Sequence, residues 1–253
     1  LTQIAYEKSK IIKEGVPVFI GYQDGVVMET FLNEAAARHA PVHRLDQALV
    51  ALGTTTTACG EAVTYQWADG TGETLLLAMR SSVQAQNSAL ALLLLRTLGL
   101  YDASILPAFT ANAIPGRFQQ ISSHPALYID GAHTLHSLEA LLSSFSELYR
   151  REQITIIYGA LEDKDHTHMV RAVLESADRI ITSRPGTYKK SVLPSLKALF
   201  DSMATAGQTI TLIEENSSAL ERALEITSQD GAILVCGSFY LGGGIKEAFE
   251  ARR

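Results

Sequence analysis

The chain is short of cysteine, of surplus positive charge and of long apolar runs, and each shortage excludes something. Its 253 residues include two cysteines, Cys59 and Cys236, far apart and in different kinds of segment. A disulfide scaffold is excluded, and no Cys/His cluster has zinc spacing. A reducing compartment, the cytoplasm, fits best. Lys and Arg number 21 against 27 Asp and Glu, a formal net charge of -6. No basic face is advertised, so nucleic acid is excluded as a partner, and an anionic small ligand must be held by a few placed cations. The longest apolar run, "ALALLLLRTLGL", is broken by Arg96 and is too short to span a bilayer. No signal peptide is present, and no membrane partner is expected. Neither G-x-x-x-x-G-K-[ST] nor G-x-S-x-G occurs, so the chain carries no P-loop and no nucleophile elbow. Internal repeats and low-complexity segments are also missing. The chain starts at Leu1 in the middle of a helical pattern, which reads as a piece of something longer.

What is present is ample core material, 47% hydrophobic residues, in a clear α/β rhythm. From about residue 122 onward five apolar segments ("ALYIDGA", "ITIIYGAL", "RIITS", "TITLIEE", "AILVCGS") alternate with five helical ones. In "HSLEALLSSFSELY", Leu138, Leu141, Leu142, Phe145, Leu148 and Tyr149 recur at the spacing that gathers them on one helix face. Strands that are apolar throughout are covered on both faces. The pattern predicts a doubly wound, mainly parallel sheet with right-handed crossovers. The first part is less regular. "IAYEKSKIIKEG" reads as a helix ending at Gly15, "VPVFIGY" and "PVHRL" as strands around the helix "VMETFLNEAAARHA", and "AVTYQWADGTGETLLLAM" as a hairpin about Asp69-Gly70. "NSALALLLLRTLGL" is an apolar helix, and "ASILPAFTANAIPGRFQ" reads as the connection between two domains, 1–113 and 114–253.

Several polar groups fall at predicted strand ends. Asp130 and His133 follow "LYID", Asp163, Lys164 and Asp165 follow "IIYGALE", and Gly237 and Ser238 follow "ILVC". In a parallel sheet all three clusters share the edge where open α/β folds bind ligands. Taken singly, each is also ordinary cap or turn chemistry. Arg117 in "IPGRF" could grip a phosphate bidentately or make a surface ion pair. Gln84 and Asn87 could read a purine edge or simply cap the apolar helix. "LGGGIKEAF" is glycine-rich but reads as a plain strand-to-helix turn, since Lys246 is not at Walker spacing. Lys8 sits in "YEKSKIIK", a solvated helix face on the simpler reading. As a carbamate it could instead offer an anionic oxygen to a hard ion such as magnesium.

The stretches "IAYEKSKIIKEGVPV", "QAQNSALAL", "IPGRFQ", "YIDGAHTLHSLEAL", "GALEDKDH" and "LVCGSFYLGG" together resemble, in order and spacing, the folylpolyglutamate synthase/dihydrofolate synthase family of the ATP-dependent Mur ligase superfamily. The resemblance runs along essentially the whole chain. It implies that 1–113 is the C-terminal part of an ATP-binding α/β domain and 114–253 the Rossmann-like C-terminal domain. It implies a ligase that phosphorylates a folate or pteroate carboxylate with ATP and magnesium and then joins L-glutamate to it, working as a monomer when complete. By motif, Lys8 is similar to the carbamylated metal-binding lysine and Gln84 and Asn87 to the adenine-side amides. Arg117 would meet the ATP phosphates and Asp130 the nucleotide's surroundings, with His133 and Ser238 beside the phosphate and glutamate pockets. The catalytic group expected on this resemblance is Lys8, Arg117 and His133. Thr134 and Leu135 depart from the family's usual "DGAHNP". Without a P-loop, this chain alone is expected to be inactive. Two other readings stay open: another Mur-type amino-acid ligase, and a non-catalytic nucleotide-binding module.

Overall fold

A computed structural model describes residues 2–57, 60–111, 114–161, 165–186 and 193–252. The chain divides into two compact units, Leu1–Ala78 with Ser82–Asn112, and Met79–Ser81 with Ala113–Arg253.

The first unit runs α1 (Thr2–Ser9), β1 (Val18–Ile20), α2 (Gly25–Ala37), β2 (Val42–Arg44), α3 (Leu45–Ala48), β3 (Leu49–Thr57), β4 (Gly60–Trp67), β5 (Gly72–Leu77), α4 (Ser82–Thr97) and α5 (Leu106–Ala111). β1 and β2 pair in parallel, and β3, β4 and β5 form an antiparallel meander. The hairpin closes at Asp69-Gly70, where Gly70 takes φ +82° and Trp67 N–H donates to Thr71 O. α4 lays Ala85, Ala89, Leu92 and Leu93 against Val63, Tyr65, Leu75 and Leu77 of the meander. Burying a large apolar side chain contributes about 1.5–3 kcal/mol, so this one helix face anchors the sheet.

One expectation is corrected here, and two stretches gain elements that the sequence reading did not assign. α1 stops at Ser9 rather than Gly15. Ser9 Oγ bonds back to Tyr6 O at 2.7 Å, and the Ile11 and Ile12 amides close short turns onto Lys8 O and Ser9 O. Gly15 N–H is held instead by Arg38 O at 2.8 Å, beyond the end of α2. Leu49–Thr57 is a strand that the sequence reading left unassigned. The stretch taken as a connection contains a 3-10 turn, Ala103–Ile105, capped by Asp102, and then α5.

The second unit runs β6 (Gln119–Ser123), β7 (Ala126–Ile129), α6 (Leu135–Ser146), β8 (Ile154–Tyr158), α7 (His166–Ser176), β9 (Arg179–Thr182), α8 (Leu193–Met203), β10 (Thr209–Leu212), α9 (Asn216–Ile226), β11 (Ala232–Cys236) and α10 (Phe239–Glu250). Its six-stranded sheet has the order β10-β9-β8-β11-β7-β6. Five strands are parallel, and β6 joins the edge antiparallel to β7, making the sheet mixed. Alternate strand residues point to opposite faces. Tyr128, Ile156, Tyr158 and Leu234 meet α6, α7 and α8, while Leu127, Ile157, Ile233 and Val235 meet α9 and α10. That double cover explains why the central strands are apolar on both faces. The face of α6 is the one its periodicity marks, with Leu138, Leu141, Leu142 and Phe145 buried.

Candidate functional site

In the second unit the parallel strands all run out at one edge, and the loops there are laced together by backbone groups. β7 ends in Asp130, whose two oxygens accept from Phe118 N–H at 2.8 Å and Ala132 N–H at 2.7 Å. The residue is 8% exposed. Burial pushes its carboxyl above the ordinary carboxylate range, opposed by those two amides and by the charges of Arg117 and His133. Asp130 therefore works first as a brace between the 114–118 loop and the loop after β7. Gly131 N–H donates to Gly116 O at 2.8 Å across the same two loops, and Gly237 N–H donates to Ala132 O at 2.9 Å from the end of β11. Gly237 adopts φ +98°, a conformation that favours glycine.

This lacing carries Arg117, His133, Ser238 and Phe239. The Arg117 guanidinium lies 4.6 Å from the centre of the Phe239 ring. The His133 ring lies 6.2 Å from the same ring. His133 Nδ1 is 2.8 Å from Gly131 O. A carbonyl can only accept, so Nδ1 carries the proton and Nε2 of the neutral ring is the lone-pair nitrogen. Ser238 is buried and caps α10, its Oγ accepting from Tyr240 N–H at 3.2 Å. Thr134, at the departure from the family pattern, caps α6 in a reciprocal box with Ser137. The exposed Phe239 was missed in the sequence; its signal is a large aromatic straight after a strand-Gly-Ser turn.

The other expected residues lie elsewhere. Asp165 caps α7, accepting from His168 N–H, while Asp163 and Lys164 lie outside the described residues. The glycines of "LGGG" are inside α10 rather than in a turn before it. A Cβ on Gly242 would reach 2.5 Å from Ile129 Cγ2, so these glycines let α10 approach the sheet closely.

In the first unit, Gln84 and Asn87 sit within α4 and do not cap it, because the helix already begins at Ser82. Gln84 is buried, and its Oε1 accepts from Asn87 Nδ2 at 3.4 Å, so the two amides act as a pair. Lys8 lies in the last turn of α1, exposed, at the rim of a cavity of about 230 Å³ lined mostly by apolar side chains including Ile12, Phe19, Phe31 and Leu90. A carbamate there would offer an ion a single amino-acid ligand. Among the described residues no three His, Cys, Asp or Glu side chains converge to hold a metal. The described residues therefore do not form a magnesium site by themselves. Among them, too, no helix is long and apolar enough to cross a membrane.

A doubly wound unit with its loops laced at the strand ends is the architecture of a Mur-type ligase C-terminal domain, and the Mur ligase, glutamate ligase domain family matches residues 116–239. The dihydrofolate synthase/folylpolyglutamate synthase of Bacillus subtilis is 24% identical over 256 aligned positions, covering 99% of this chain and 58% of that protein. The folylpolyglutamate synthase of Lacticaseibacillus casei is 26% identical, covering 98% of this chain and 57% of the relative. The Mycobacterium tuberculosis folylpolyglutamate synthase, solved with ADP and AMPPCP, shares the fold at a TM-score of 0.84 and 24% identity, covering 100% of this chain and 60% of that one. Along nearly its whole length the chain is similar to members of the folylpolyglutamate synthase/dihydrofolate synthase family of the Mur ligase superfamily. It spans a little under three fifths of the length of the curated relatives it matches along its whole length.

Proposed function

We propose that the complete gene product carrying this sequence is an ATP-dependent ligase that adds L-glutamate to a folate or pteroate carboxylate, in the cytoplasm, as a monomer. The observation that supports the reading is the lacing of the "PGRF", "DGAH" and "GS" loops at one strand edge by Asp130 and the Gly131 and Gly237 amides. In this reaction the γ-phosphoryl group passes from ATP to the acceptor carboxylate, leaving ADP and an acyl phosphate. The glutamate amine then attacks the acyl carbon, loses a proton and expels phosphate. Most of the acceleration in such chemistry comes from positioning and from neutralising charge.

Arg117 is the cation at this edge suited to phosphate oxygens, with an in-plane fork of N–H donors. His133 Nε2 is the acceptor suited to a ribose hydroxyl or to the incoming amine. Ser238 sets the first turn of α10 beside them. Asp130 keeps the Arg117 and His133 loops in register, a positioning role. Gln84 and Asn87, with paired amide donors and acceptors, suit the edge of an adenine. Lys8, as a carbamate, would give one oxygen to magnesium; no step here is routed through the ion. The 253-residue chain by itself, without a P-loop, does not turn ATP over on this reading.

The test is ATP-dependent incorporation of labelled glutamate by the complete gene product, with dihydropteroate and a reduced folate as separate acceptors. Activity with either supports the reading and chooses between them. Activity confined to UDP-linked acceptors, or none with any folate or pteroate, overturns the substrate assignment.

A further inference from the structure

We propose that Phe239 is a positioning residue for Arg117, a ring wedge that holds the guanidinium ready for a nucleotide phosphate; the inference rests on the functional reading above. Phe239 is the first residue of α10 and is 42% exposed, an unusual place for a large aromatic with no core to fill. Its surroundings are specific. The Arg117 guanidinium stands 4.6 Å above its ring, and the His133 ring lies 6.2 Å away on the neighbouring loop. Beneath it lie two glycines. A Cβ on Gly131 would fall 2.2 Å from Phe239 Cε1, and one on Gly116 would fall 3.2 Å from Cδ1. A side chain at Gly131 would overlap the ring and one at Gly116 would press against it, so the ring is seated on bare backbone from both loops.

The consequence is directional. An aromatic face attracts a guanidinium through its quadrupole and lies against the flat side of the fork. A guanidinium held in this way can turn its in-plane N–H donors to an anion bidentately. The alternative holder for an arginine, a carboxylate, would occupy those same donors and cancel the charge. In a chain of net charge -6, a cation held by a ring face, while the nearby Asp130 carboxyl accepts from two backbone amides, is prepared for a phosphate contact. The ligand class is thus a nucleoside di- or triphosphate, met through its phosphate oxygens.

Phe239→Leu keeps bulk and removes the π face; Phe239→Tyr and Phe239→Trp keep it. In the complete gene product, Phe239→Leu is expected to raise KM for ATP and Kd for ADP roughly three- to tenfold, the scale of one cation–π contact together with lost ordering of the arginine. kcat should stay within about twofold, and Tyr or Trp should restore binding. In an Arg117→Met background the same Phe239→Leu change should add no further loss, because the residue it serves is gone. An unchanged Kd in Phe239→Leu, or an equal loss with and without Arg117, overturns the inference. So does a gene product that binds no adenine nucleotide. ADP binding that depends on Phe239, in a protein that incorporates no glutamate, would overturn the ligase reading and leave this inference standing. Should Phe239→Leu fail to fold, Phe239→Met carries the same comparison.

Discussion

The run Gly242-Gly243-Gly244 allows the same substitution to be made three times, on one helix, with three different outcomes. All three lie in α10, where Gly→Ala gains about 0.8–1.0 kcal/mol of helix propensity. At Gly243 an added Cβ meets nothing within 4 Å and the residue is exposed, so nothing opposes the gain. Gly243→Ala is expected to stabilise by about 0.5–1 kcal/mol. At Gly242 the Cβ would stand 2.5 Å from Cγ2 of Ile129, which is 3% exposed in β7. Overpacking a core contact costs about 1–3 kcal/mol, so Gly242→Ala is expected to be neutral to about 2 kcal/mol destabilising. At Gly244 the Cβ would fall 2.2 Å from Nδ2 of Asn216, whose Oδ1 accepts from buried Ser183 Oγ at 3.0 Å. Displacing Asn216 adds the loss of that bond, about 0.5–1.5 kcal/mol, and Gly244→Ala is expected to cost about 1–3 kcal/mol net. Urea unfolding gives the three midpoints, comparable only if the slope stays constant. If the run were a phosphate cradle, Gly243→Ala would weaken ADP binding and spare stability. A destabilised Gly243→Ala, or three equal effects, refutes the packing argument.

The hairpin tip and the end of β11 make two further predictions. Asp69 is held down at about 2, first by the Thr71 hydroxyl and amide and then by Arg96. A lowered carboxyl contributes stability that is complete above its free value of 3.8 and is lost as pH falls toward about 2. Asp69→Asn should flatten the acid side of a melting-temperature profile across that window, and an unchanged profile would remove Asp69 from the account. Gly237→Ala combines φ +98° with a Cβ 2.6 Å from Gly159 O, a backbone atom that cannot swing aside. Strain and overlap together should cost more than about 3 kcal/mol, read by denaturation, and a loss under about 1 kcal/mol would contradict the geometry.

How far the fold could be read beforehand differs between the two units for a physical reason. In the second unit, strands covered on both faces carry apolar residues on both, and helices resting on one face show the 3.6-residue recurrence. Both signals are local, so β7 to β11 and α6 to α10 emerge from composition alone. β6 does not, because Gln119, Gln120, Ser122 and Ser123 lie on an edge strand with little apolar pattern. β3 was missed for a similar reason, since Thr54, Thr55 and Thr56 face solvent and only their β-branching hints at a strand. Gly15, which reads as a helix stop, is held instead by Arg38 O, more than twenty residues away, a bond that no local pattern contains. At the candidate site the acids, imidazole and arginine were legible as residue types. What they rest on was not. Asp130 reads as a ligand-facing acid but spends both oxygens on backbone amides, and the seat of Phe239 on Gly131 and Gly116 has no local sequence signal.

That difference bears on how a chain of net negative charge could recognise a polyanion. The chain as a whole repels phosphate, so attraction must be local and geometrically prepared. Preparation is visible in where the hydrogen bonds go. Asp130 ties two loops, the Gly131 and Gly237 amides tie the same region to Gly116 and Ala132, and His133 Nδ1 is tied to Gly131 O. These bonds form between groups of the second unit alone and need no ligand. Little of the ordering entropy therefore remains to be lost on binding. One guanidinium held flat on a ring can then contribute through orientation what several mobile lysines would have to contribute through number. Bare glycine under that ring follows from the same requirement, because any side chain at Gly131 would occupy the seat from which the arginine is aimed.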